Sequence, residues 1–109
     1  MHRDHVPSLP PTFHLLGSTD ISPIQGMVRF SPPDAQPGVD DGDVLPSVHV
    51  FAVQGHPEFT ATISRKIIDV RAARGIIDET TAKDGRVRAE WRDDGVDIVG
   101  RAIWAVLRT

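Results

Sequence analysis

The stretch Val48-His49-Val50-Phe51-Ala52-Val53-Gln54 limits most strongly what this chain can become. Its centre is apolar at four successive positions, 50 to 53, so neither face of an extended strand here suits water. Such a run predicts a strand near the centre of a sheet that helices cover on both sides. Upstream, residues 13–18 predict a first strand with Phe13 and Leu15 on one face, and a turn follows at Asp20-Ile21-Ser22-Pro23. Residues 24–30 alternate Ile24, Gly26, Val28 and Phe30 against Gln25, Met27 and Arg29, which predicts an antiparallel hairpin partner. Residues 31–46 are so rich in proline, glycine and aspartate that they predict an exposed, mobile loop, to which no site is assigned.

Residues 60–109 read as mainly helical. The Thr60 hydroxyl can cap a helix in which Ile63, Ile67 and Val70 recur at helical spacing, and Gly75 makes a stop signal. Residues 78–91 predict a second helix, weakened by Gly85 in its interior. Gly95 precedes a third, with Val99, Ala102, Ile103 and Val106 on one apolar face. Strands thus come first and helices last, as in a small α+β domain or the back half of an open α/β sheet. With 109 residues and 39% hydrophobic content, one core is the ceiling.

The rest of the composition narrows the function classes. A net charge of −3, from 12 basic and 15 acidic residues, gives no field for nucleic acid. No run approaches the ~18 apolar residues of a membrane span, and the first residues lack the apolar core of a signal peptide. There is no cysteine, so there is neither a disulfide framework nor a thiolate metal site, and the expected compartment is the cytoplasm. His2, Asp4 and His5 in a leading polar loop make a poor metal signature, so no metal and no cofactor are expected. His14 and His49 read as packing histidines within strands, Trp91 and Trp104 as core or edge anchors, and Arg65, Lys66, Arg71 and Arg74 as the wet face of the first helix.

The chemistry lies just past the strongest strand. His56 and Glu58 flank Pro57, which restricts the backbone and can present both side chains at the strand's carboxyl end. A carboxylate beside an imidazole fixes its tautomer and stabilises the imidazolium that forms when the ring takes a proton from a nucleophile. His56 is then the candidate base and Glu58 its orienter. Taken alone, His-x-Glu is a spacing that recurs by chance, and a lone histidine at a strand end is usually structural.

The wider text is more specific. Gln54-Gly55-His56-Pro57-Glu58-Phe59, after an apolar strand and before a Thr-capped helix, resembles the catalytic His-Pro-Glu segment of class I (triad-type) glutamine amidotransferase domains. Upstream, His2-Arg3-Asp4-His5-Val6, Leu9-Pro10-Pro11, Leu16-Gly17-Ser18-Thr19 and Gln25-Gly26-Met27 follow in the order of that family, most like its GMP-synthase-related fungal members. The resemblance covers most of residues 1–75 and, more loosely, the C-terminal helices.

It implies the C-terminal half of a flavodoxin-like α/β domain, so that residues 1–109 form a partial domain. In such domains a cysteine attacks the side-chain amide of glutamine and ammonia leaves, with His56 and Glu58 completing a Cys-His-Glu triad. It also implies Met1, His2, Arg3 and Asp4 as substrate contacts, although Arg3 stands where relatives often carry glycine. The departure from the family is the nucleophile, because the cysteine elbow and oxyanion donors belong to an N-terminal half that these 109 residues do not contain. The expectation is a chain inactive by itself, whose partners are glutamine in the complete domain and the missing half-domain or a synthetase. The alternatives are a split-enzyme subunit, or a non-catalytic interaction module built on the same fold. A sheet cut through its middle also predicts a raw strand edge and marginal stability, since each exposed large side chain forfeits about 1.5–3 kcal/mol.

Overall fold

A computed structural model of the chain describes residues 2, 4–32 and 47–108. Among these residues the fold is mixed α/β, with three strands followed by three α-helices: β1 (His14–Gly17), β2 (Gly26–Ser31), β3 (Ser47–Val53), α1 (Ala61–Ala73), α2 (Glu79–Arg88) and α3 (Gly100–Leu107). Residues 33–46, most of the predicted loop, lie outside the described residues, and Ser31 closes β2 rather than opening a loop. Two compact units divide the chain, one made of residues up to Gly55 with those from Ala102 onward, the other of His56–Arg101.

In the first unit the strands form an antiparallel meander in the order β1-β2-β3. The expected hairpin of β1 with β2 is present, but the strand expected at the centre is not there: β2 is central and β3 is an edge of the described sheet. The reason is connectivity. Apolar content says how much of a strand avoids water, whereas each consecutive hairpin simply adds the next strand outside the last. Burial follows position, for Ile24, Gly26 and Val28 are buried while no residue of β3 is, and Val53 is exposed.

Both ladders are irregular. The register slips between Leu15 and Gly17 and again at Arg29–Phe30, where Arg29 faces Val50 and Phe30 faces Val48. The second slip leaves His49 as the additional residue of a bulge. His49 is exposed there and is not the packing histidine the sequence suggested. His14 does pack, with its ring 5.4 Å from that of Phe30.

In the second unit α1 begins where Thr60 accepts the amide of Ile63 at 3.3 Å. It ends in a Schellman turn, with the Gly75 amide on the Ala72 carbonyl and the Ile76 amide on the Arg71 carbonyl, and Gly75 at a φ of +68°. Asp78 caps α2 by accepting the Thr81 amide at 2.8 Å and the Thr81 hydroxyl at 2.9 Å, bonds that hold its carboxyl below the ordinary value. The buried stripe of α1 is rotated from the expected one, because Ile68 is buried while Ile63 and Val70 are exposed. Ile68 meets small residues on α2: Ala82 is fully buried, and a Cβ at Gly85 would stand 3.0 Å from Ile68 Cδ1. Gly85 therefore exchanges helix propensity for a close helix pair, which ion pairs of Arg86 with Asp69 and Glu79, and of Arg65 with Glu90, border. A π-helical turn, Gly95–Val99, leads into α3. Trp91 and Trp104 are exposed rather than buried anchors, and the Arg108 guanidinium lies 5.7 Å from the Trp104 ring.

Ile68 is the largest buried side chain of the helix pair, so Ile68→Ala should lower unfolding free energy by about 2–5 kcal/mol in urea titrations. A loss under about 1 kcal/mol would mean that the two helices do not depend on this contact.

Candidate functional site

Val53 ends β3, and the Gln54 amide still donates to the Gln25 carbonyl at 2.9 Å, so the strand is tied down to its last residue. The chain then turns through His56-Pro57-Glu58-Phe59, closed by the Phe59 amide on the His56 carbonyl at 3.1 Å, and Thr60 starts α1 directly after. Proline suits this turn because its fixed φ lowers the entropy of closing it.

The turn brings the two predicted catalytic side chains together. His56 Nδ1 lies 2.9 Å from Glu58 Oε1. An ionised carboxylate can only accept, so Nδ1 carries the proton, and in the neutral ring Nε2 holds the free lone pair. Among the described residues nothing hydrogen-bonds Nε2. The Phe59 ring stacks on the imidazole, with centroids 4.2 Å apart and planes 5° from parallel. This third member escaped the sequence reading, and the signal for it was the i, i+3 spacing across a proline turn.

Both side chains remain wet, at 64% exposure for His56 and 63% for Glu58. The hydrogen bond from His56 is the main cause that holds the Glu58 carboxyl below its ordinary value of 4.5, with Glu58's own backbone amide next. Chemically, an imidazole aligned by a carboxylate in this way has the geometry that a general base requires.

Of the expected substrate contacts, Met1 and Arg3 lie outside the described residues. His2 and Asp4 are exposed, and His2 Nδ1 sits 2.9 Å from the Asp4 carbonyl oxygen, a local turn contact. In the sheet unit a cavity of about 100 Å³ is lined by apolar side chains that include Val6, Ile24, Met27 and Ala52, with Gln25 and Gln54 as its polar members. Among the described residues no group of three or more histidines, aspartates or glutamates is placed to hold a metal ion, and no helix is long and apolar enough to cross a membrane.

Comparison with family models, with curated proteins and with solved structures finds no match to this chain.

Because the Glu58 value is lowered on folding, the stabilisation from its hydrogen bond is fully present above 4.5 and is lost as pH falls through the lowered midpoint. Carbon-detected NMR of the Glu58 carboxyl should give a midpoint below 4.5 that climbs toward that value in His56→Ala. An identical midpoint in both proteins would mean that the pair does not form in solution.

Proposed function

We propose that this chain supplies the proton-handling pair of a class I glutamine amidotransferase, the family whose His-Pro-Glu segment it resembles. The observation that carries this reading is the 2.9 Å approach of His56 Nδ1 to Glu58 Oε1, with Nε2 left open for a nucleophile's proton. In this reading His56 takes the proton of a thiol as the sulfur attacks the glutamine amide, and returns it to the departing ammonia. Glu58 holds the ring in the Nδ1–H tautomer and stabilises the imidazolium between the two steps.

The thiol comes from outside these 109 residues, since they contain no cysteine. The chain then acts as the C-terminal half of a flavodoxin-like domain, in the cytoplasm, joined to a cysteine-bearing half within a longer protein or as a separate subunit. A synthetase would receive the ammonia. His2 and Asp4, with Met1 and Arg3, are the proposed glutamine contacts.

A second reading, a non-catalytic interaction module, is favoured by the exposed apolar side chains Trp104 and Leu107 of α3. It requires partner binding that survives His56→Ala and fails in Trp104→Ala.

The purified chain alone should release no ammonia from glutamine. Mixed with a cysteine-bearing N-terminal half of a triad-type domain, it should restore release. His56→Ala should then cost about 10²–10⁴-fold in kcat, the usual worth of a general base, and Glu58→Ala less. Ammonia release by the chain alone that disappears in His56→Ala, or equal losses for the two variants, would overturn these roles.

A further inference from the structure

The turn that carries His56 and Glu58 touches two groups that the proton-transfer scheme leaves unused. One is the Phe59 ring, parallel to the imidazole at 4.2 Å. The other is Gly95, at the start of the π-helical turn. A Cβ built there would stand 2.3 Å from the Pro57 carbonyl oxygen and 2.9 Å from Pro57 Cα. Both atoms are backbone, so no side-chain rotation could relieve the overlap, and even alanine would displace the turn. Gly95 is itself held in place, for its amide donates to Asp93 Oδ1 at 2.8 Å, and the Ile98 amide closes the next turn onto the Asp94 carbonyl at 2.8 Å. Gly100, a few residues on, meets nothing within 4 Å at its Cβ position.

A ring as exposed as His56 has water competing for Nδ1 and open space for other rotamers, so one hydrogen bond to an exposed carboxylate orients it weakly. Something further must hold it. We propose that Gly95 and Phe59 are positioning residues for the His56–Glu58 pair: Gly95 seats the Pro57 peptide, and Phe59 limits rotation of the imidazole so that Nδ1 stays on the carboxylate. The catalytic consequence rests on the amidotransferase reading, while the positioning itself requires no nucleophile. A side chain at position 95 would push on the peptide that joins base to orienter, misaligning the two without touching either.

The test is the tautomer of His56 in the ¹⁵N-labelled full chain, read from its two ring nitrogens at a pH where the imidazole is neutral. Wild type should show mainly Nδ1–H, with cross-relaxation between the His56 and Phe59 rings. Gly95→Ala should shift the ring at least twofold toward Nε2–H, and Phe59→Leu should do so more mildly. Gly100→Ala, in the same helical segment but facing open space, should leave the tautomer as in wild type; a general loss of helix would move it as much as Gly95→Ala does, and that result counts against the proposal. A wild-type tautomer in both Gly95→Ala and Phe59→Leu, or in Phe59→Leu alone should Gly95→Ala not fold, overturns it. Failure of the amidotransferase reading is seen separately, as absent ammonia release in the reconstituted assay while the tautomer still responds to position 95.

Discussion

The bond from the Phe59 amide to the His56 carbonyl, 3.1 Å long, closes the turn on which the rest of the site depends. It closes a tight turn between the last residues of β3 and the Thr60 cap of α1. It also gathers three side chains within four residues: an imidazole, a carboxylate on its Nδ1, and an aromatic ring on its face. Without the turn, His56 and Glu58 would be i, i+2 neighbours on an extended chain and would point the same way with no reason to converge. Pro57 makes that closure inexpensive in entropy, which ties the residue type at 57 to the geometry at 56 and 58.

Packing in the two units follows one theme, in which small residues permit close approach and large apolar residues are left outside. In the sheet, Gly26 is buried between β1 and β3, where a Cβ would stand 3.3 Å from Leu16 Cβ. In the helix pair, Gly85 and Ala82 admit Ile68. Leu15, Leu16, Ile98, Trp104 and Leu107 are each half or more exposed, or within a percent of it, and none of the described large side chains is fully buried. At about 25 cal/mol per Å² of apolar surface, a chain that buries so little has small hydrophobic stabilisation to set against its conformational entropy. Ion pairs such as Arg86–Asp69 and Arg88–Asp84 are exposed and add little.

Local signals in the sequence were readable, and relations between distant residues were not. The Thr60 cap, the Gly75 stop and the β1–β2 hairpin each depend on residues a few positions apart, and each is present. So is the His56–Glu58 pair, whose geometry is decided within one turn. The place of β3 in the sheet was misread because a hydrophobic run reports avoidance of water and not the identity of its neighbours. The inward face of α1 was misjudged by one residue, since Ile67 and Ile68 are adjacent and only the location of α2 decides between them. Gly85 looked like a weakness in a helix and is a point of contact. Gly95 gave no signal of its place against Pro57, because the two are 38 positions apart (95 − 57) and only the folded backbone joins them.

The exposure of the pair bears on what any chemistry here would require. A base that is 64% exposed works in a medium of high dielectric, where an orienting carboxylate contributes little to the stability of an imidazolium. The same 2.9 Å bond becomes much stronger once water is excluded, because both the Coulomb attraction and the cost of breaking the bond rise as the dielectric falls. A surface that covered His56 would therefore strengthen the alignment already present in the turn. As it stands in solvent, the turn supplies alignment, with the imidazole on the Glu58 carboxylate and against the Phe59 ring, and little electrostatic strength.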